Sequence, residues 1–384
     1  MECRGCSLNL RSSCHGSLGS RGTFDPVHYL RDGTSRIVGR FARKAPVKSR
    51  KYSCNWETRL LTLSCRCRQS IEILPGEIAG WVPESTPTHP FLFVEDNLGV
   101  PQKVLYRAYM VAVRAYFGLR NESRKSTPSL PQSNRLDRFT RVVLLANPAH
   151  QTALNSRKKL VQDHVVDPRW ELNLFASLLS CRDCAKESIL WHHRRWLLRV
   201  IYEVPATAGA DCIPETVPLD TLKAEFVCSS MACHIYPRNY HAWAHRGSCV
   251  RALVASRQSE TPSNSSELSE EYQGTLRWIE SHISDYSAMN HAVNFEKMLP
   301  GGNLIEGCLP TKEHATSLLR LYPDRESLWM YLRSSATLEG EKELIASMKE
   351  APSVQHFILR HIVWWKMSVS FSVIPTGRVE SLKL

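Results

Sequence analysis

The chain has 384 residues, of which 43% are hydrophobic and 22% charged, and its formal net charge is +12. That length allows about two or three domains, or one long repeat array. The composition excludes a collagen-like or wholly disordered protein, and no apolar run reaches the ~18 residues that a membrane helix needs.

The charge is not evenly spread. Residues 1–70 hold 14 Lys/Arg and 4 Asp/Glu, which leaves only +2 for the other 314 residues. The basicity therefore belongs to an N-terminal arm. It reads as a solvated leader, poor in acids and rich in Arg and Ser like a mitochondrial presequence, and without the apolar core of a signal peptide. A basic arm can also bind nucleic acid or an anionic membrane, a further reading in which the leader is functional, although nucleic acid is not the expected partner. Thirteen cysteines are present. Cys3 and Cys6, Cys65 and Cys67, and Cys181 and Cys184 form close pairs, but none has a downstream partner at zinc-finger spacing. Cys212, Cys228, Cys233, Cys249 and Cys308 lie in apolar helical pattern and read as buried reduced thiols, which points to a reducing, cytoplasmic compartment.

Residues 1–88 show no sustained period and run into Pro83-Glu-Ser-Thr-Pro-Thr-His-Pro90. Phe91 to Val100 reads as an extended segment closing in a turn. Lys103 to Leu119 carries Val104, Leu105, Ala108, Val111, Ala112, Ala115 and Tyr116 at helical spacing. Arg120 to Gln132 is a polar linker. Helical pattern then continues to Val363, broken by a polar insertion from Ala255 to Glu271. Phe357 to Ile374, interrupted by Arg360, His361 and Lys366, reads as a buried or amphipathic helix. The division this predicts is a leader (1–88), a helical repeat domain (89–350) and a C-terminal helix and tail (351–384).

One phrase recurs. Trp191-His-His-Arg-Arg-Trp196 and Trp243-Ala-His-Arg246 are its clearest copies, with weaker ones at Leu154, Met289 and Trp329. These five anchors are 37, 52, 46 and 40 residues apart, and the shortest interval is near the ~34-residue period of tetratricopeptide-like hairpins. Asn147-Pro, Tyr236-Pro and Tyr322-Pro stop the preceding helices, because proline cannot continue one. Asn239 or Ser284 then caps the next, Trp243 buries its ring, and Arg246 pairs with a neighbouring acid or carbonyl. Each hairpin needs its neighbours to cover its apolar face. The predicted fold is all-α, a right-handed α-α superhelix. Adjacent histidines such as His192 and His193 point about 100° apart and share no ligand face. No glycine-rich phosphate loop and no serine nucleophile elbow occurs. The residues alone describe a helical-repeat interaction protein with no self-sufficient active site and no metal site of its own.

Tyr236 to Arg246, read as Tyr-Pro-x-Asn-Tyr-x-x-Trp-x-His-Arg, resembles the signature of the protein prenyltransferase alpha-subunit repeat, Trp191 to Trp196 resembles its second half, and Phe93 to Val100 and Leu144 to Lys158 narrow the resemblance within that family. The resemblance covers about residues 90–345. It implies an alpha-like subunit wrapped around a catalytic beta subunit that holds the zinc and the isoprenoid pocket. The expected partner is a beta subunit of the Rab geranylgeranyltransferase type, and the acceptors are proteins with C-terminal cysteines. By the same resemblance Lys186 and Tyr240 are catalytic at the diphosphate, and Arg238 and Asn239 line that interface. Trp191, His193, Arg194, Trp243, His245, Arg246 and Trp329 are structural members of the signature. Leu154 and Met289 in place of Trp, Ala292 and Leu332 in place of Arg, and Glu187-Ser188 in place of Asn-Tyr depart from it. These losses keep a second reading open, a non-enzymatic scaffold.

Overall fold

A computed structural model describes residues 70–76, 89–94, 97–123, 129–203, 212–256, 264–299, 307–335 and 355–372. The cysteine pairs at 3/6 and 65/67 lie outside these residues. All of the described residues belong to the unit formed by residues 53–384.

The chain enters through a small sheet. Strand β1 (Ile71–Leu74) runs parallel to β3 (Asn97–Pro101), and β2 (Leu92–Val94) pairs antiparallel on the other side, giving the order β1-β3-β2. The extended segment expected at Phe91 to Val100 is thus a hairpin. Strand β1, however, comes from a stretch assigned to the leader. Four residues with two buried ends, Ile71 and Leu74, are too short to register as a period. A Cβ at Gly99 would sit 2.8 Å from Leu74 Cδ1 and 3.1 Å from Leu92 Cβ, so only glycine lets the three strands close here. The Ile71 amide donates to Ser180 Oγ at 2.7 Å, and Cys181 Sγ donates to the Ile71 carbonyl at 2.9 Å. These bonds fix the sheet to the helical array.

Among the described residues thirteen helices follow. Helix α1 (Gln102–Ser123) packs on α2 (Leu130–Ala146), which pairs with α3 (Gln151–Gln162). The second hairpin is α4 (Pro168–Leu179), the single turn α5 (Arg182–Ala185) and α6 (Ser188–Ile201). The third is α7 (Leu219–Ile235) with α8 (Tyr240–Ser256), and the fourth is α9 (Asn264–Ser281) with α10 (Tyr286–Met298). The fifth is α11 (Thr311–Leu321) with α12 (Glu326–Ser335), and α13 (Gln355–Ser372) follows. The second helices α6, α8, α10, α12 and α13 pack each on the next, which makes the array a helical-repeat solenoid.

Helix ends follow the prolines. Helix α2 stops at Ala146 before Asn147-Pro, α7 at Ile235 before Tyr236-Pro, and α11 at Leu321 before Tyr322-Pro. Asn239 caps α8, its Oδ1 accepting from the Ala242 amide at 3.1 Å. Helix α10 is capped by Asp285 rather than Ser284; its Oδ1 accepts from the Ser287 and Ala288 amides at 3.1 Å each. A carboxylate is the better acceptor at a helix N-terminus, where it also meets the positive end of the dipole. Two linkers are shorter than the sequence suggests. Helix α1 runs on to Ser123, and α9 begins at Asn264, inside the stretch read as an insertion. Leu268, Tyr272, Leu276 and Ile279 are buried along one face of α9, while its polar residues dominate the composition.

Candidate functional site

The five anchor positions are all buried: Leu154, Trp191, Trp243, Met289 and Trp329. The residue two places on then meets the anchor of the preceding repeat. Trp191 packs on His245 with centroids 5.2 Å apart, and Trp243 on His291 at 5.1 Å. Trp329 meets His361 of α13 at 5.6 Å. Helix α13, placed outside the repeats by sequence, therefore stands where the second helix of a sixth repeat belongs.

The Arg three places after each of the first three anchors enters a buried ion pair with the first helix of the next repeat. Arg157 clamps Glu171, with its Nε donating at 2.7 Å. Arg194 Nε donates to Glu225 at 2.5 Å and Nη2 at 2.8 Å. Arg246 clamps Glu271, with Nη2 at 2.7 Å. The following histidine reaches the same acid: His193 Nε2 lies 3.2 Å from Glu171, and His245 Nε2 lies 2.8 Å from Glu225. In the last link Ala292 carries no charge. Among the described residues no buried carboxylate matches it there: His314 Nδ1 meets the Tyr331 hydroxyl at 3.2 Å, and its Nε2 lies 3.4 Å from the exposed Glu280. Loss of the Arg and loss of its acid go together, as the cost of an unpaired buried charge requires.

Burial alone would raise the two doubly bonded carboxyls, but Arg157 and His193 bring Glu171 down to about 2, and Arg194 and His245 bring Glu225 down to about 2. Glu271 has Arg246 without a histidine, and burial leaves it above the usual carboxylate range. Burial lowers His193 and His245, and takes His291, beside Arg246, to about 3. The consequences for stability run the same way for these histidines and for Glu171 and Glu225, while Glu271, held above its ordinary value, opposes them. A histidine kept neutral in the fold favours the unfolded chain once pH falls below its ordinary value near 6.5. A carboxylate held near 2 favours the unfolded chain once pH falls below about 4.5. Thermal unfolding followed by circular dichroism should show full stability above about pH 6.5, a first loss from pH 6.5 to 4.5 and a steeper one from pH 4.5 to 2. Stability that stays flat down to pH 4 would contradict these histidine environments.

Two turns come together at one edge. The Ala185 carbonyl accepts from Trp191 Nε1 at 2.8 Å and from Asn239 Nδ2 at 2.8 Å. Asn239 thereby joins the α5–α6 turn to the α7–α8 turn. With its amide and its carbonyl both committed and only 1% exposure, Asn239 is a structural pin and not an interface residue as expected. The three other predicted residues flank this pin and are exposed. Lys186 follows Ala185, Arg238 precedes Asn239, and Tyr240, 65% exposed, follows it. Arg238 adopts φ 61°, a left-handed conformation that costs a non-glycine residue roughly 1–2 kcal/mol. Asp183, which sequence reasoning missed, bonds Lys186 Nζ at 2.9 Å and is the main reason the ammonium titrates above its ordinary value. Arg182 lies over the Tyr236 ring at 5.8 Å and adds a further cation to this edge.

The described cysteines offer no reactive thiolate at this edge. Cys181, Cys184, Cys228, Cys233 and Cys249 are buried, whereas Cys308 is half-buried and Cys212 is exposed, contrary to the buried role read for it. Burial pushes the Cys228 thiol to about 11 and Cys233 to about 12, so neither forms a thiolate at neutral pH. Among the described residues no group of His, Cys, Asp or Glu could hold a metal ion, and no helix is long and apolar enough to cross a membrane.

Residues 222–253, most of the α7–α8 hairpin with its Trp-x-His-Arg core, match the model of the protein prenyltransferase alpha subunit repeat. The α7–α8 hairpin is thus a copy of this repeat. It is 35% identical over 256 residues to protein prenyltransferase alpha subunit repeat-containing protein 1-B of Xenopus laevis, covering 56% of this chain and 57% of that one. It is 28% identical over 233 residues to protein prenyltransferase alpha subunit repeat-containing protein 1 of Danio rerio, covering 51% and 53%. It is 23% identical over 201 residues to geranylgeranyl transferase type-2 subunit alpha of Saccharomyces cerevisiae, covering 50% and 56%. The chain thus spans about half the length of the relatives it matches. In alpha-subunit repeat terms, the pinned turns belong to the second and third copies.

Proposed function

We propose that the chain is the alpha-like subunit of a heterodimeric protein prenyltransferase that moves a geranylgeranyl group to protein cysteines. The observation that supports this most is the pinned pair of turns, which offers Lys186, Arg238 and Tyr240 to a partner at one edge while Asn239 holds them from behind. A departing diphosphate gathers negative charge, and an ammonium, a guanidinium and a phenol hydroxyl offset that charge. In this reading the beta subunit, of the Rab geranylgeranyltransferase type, holds the zinc, which lowers the acceptor thiol's pKa, and most of the isoprenoid pocket. The present chain binds that subunit and steadies the diphosphate end. Its place of action is the cytoplasm. A scaffold without transfer activity is the second reading. It is favoured by Asp183, which already neutralises Lys186, and by the uncharged last link at Ala292 and Tyr331.

Co-purification with a geranylgeranyltransferase beta subunit, followed by transfer assays on proteins ending in cysteine, separates the two. The first reading expects a stable complex whose turnover falls about 10- to 100-fold in Lys186→Ala. Arg238→Gly relieves the left-handed backbone, so its melting temperature should rise while turnover drops. A stable complex with no transfer supports the scaffold, and failure to bind any beta subunit rejects the transferase reading.

A further inference from the structure

Helix α1 presents an outer face that the repeat array covers only in part: the Phe117 ring meets His150 at 6.0 Å and Val113 packs on the core. Its inner face, Val104, Leu105, Ala108, Ala112, Tyr116 and Leu119, is buried. Val111, which helical spacing assigned to the core, is instead 44% exposed. Tyr106 is 54% exposed and Phe117 41%. Tyr106, Met110, Val113 and Phe117 are separated by four, three and four residues, the spacing of a coiled-coil seam, with Met110 and Val113 half-buried between the two exposed rings. Arg107 and Arg114 each stand one place after a seam residue and are exposed, and the exposed Lys103 continues their line. The only carboxylate in α1 is Glu122, at its far end, where Gln132 donates to it. Among the described residues no acid pairs with Arg107 or Arg114, and the adjacent α2 adds two more exposed arginines, Arg135 and Arg138.

We propose that this face of α1 docks an acidic amphipathic helix from another protein, with apolar residues in the seam and glutamates or aspartates opposite Arg107 and Arg114. A narrow apolar stripe at 3.5-residue spacing accepts a helix, and the flanking Arg107 and Arg114, with no acid paired to them among the described residues, select a negatively charged one. A bilayer is less well matched, because it rewards a broad apolar face rather than a seam flanked closely by arginines. The surface lies on the α1–α2 pair and is distinct from the turns that carry Lys186 and Tyr240, so it does not depend on the transferase reading.

The probe is a fluorescein-labelled helical peptide of about three heptads, with leucine at seam positions and glutamate beside them. Anisotropy titrations use the full chain. Saturable binding is expected, weakened about tenfold or more in Arg107→Glu/Arg114→Glu and also reduced in Phe117→Ser. A lysine version of the peptide should bind the charge-reversed variant better than the original chain. These side chains are exposed, so unchanged melting curves will confirm that the variants fold. Absence of saturable binding, or binding indifferent to these substitutions, overturns the proposal. So does preference of this face for phosphatidylserine vesicles or an oligonucleotide over the peptide.

Discussion

Replacing Glu225 by Ala should lower the free energy of unfolding by about 3–5 kcal/mol, because it leaves a buried guanidinium without its counter-ion. Glu225 accepts two bonds from Arg194 and one from His245, and all three side chains are buried. Once the carboxylate is gone, Arg194 keeps only the Leu172 carbonyl, 2.8 Å from its Nη1. Removing both partners is a different matter. Arg194→Met with Glu225→Leu leaves no orphaned charge, and similar changes elsewhere are often close to neutral. The chain already contains such an interface, where Ala292, His314 and Tyr331 take the place of the charged set. Urea unfolding followed by far-ultraviolet circular dichroism distinguishes the two variants. A single Glu225→Ala variant as stable as the double one would show that the ion pair does not carry the link.

The second large effect falls on the tryptophan anchors. Trp191→Ala should cost about 3–5 kcal/mol, since it removes a fully buried indole and leaves a cavity between helices. It also withdraws the Nε1 donor from the Ala185 carbonyl, so the edge that holds Lys186 loses one of its two ties. Trp191→Leu should cost less than Ala, because Leu154 fills the corresponding position in the first repeat. The same urea titrations measure both. Equal losses for Leu and Ala would mean that the hydrogen bond, rather than the buried ring, sets the stability of this position.

The repeat was readable because its signature is local. Trp, His and Arg sit within four residues of one another on a single helix, and proline marks the end of the helix before. Their acids were not readable. Glu171, Glu225 and Glu271 lie 14, 31 and 25 residues after the arginines they bind, because the connecting loops differ in length. Glu271 was further hidden by its surroundings, a polar composition that masks the buried face of α9. Helix α13 escaped notice as a sixth copy because His361 keeps the ring contact while the Trp of the signature is missing. At the candidate site the residues named from sequence fall on two adjoining turns, and one of them has a different surrounding from the one expected. Asn239 is used up in holding two turns together, and Asp183, three residues before Lys186, was not recognised as its partner.

If a catalytic partner engages the edge formed by the α5–α6 and α7–α8 turns, hydrogen–deuterium exchange of the full chain, alone and with a geranylgeranyltransferase beta subunit, will reveal it. Added protection is expected at residues 182–188 and 236–241 in the complex, lost together with binding when Trp191 is replaced by Ala. Protection confined to other parts of the array, with these two turns unchanged, would contradict that engagement.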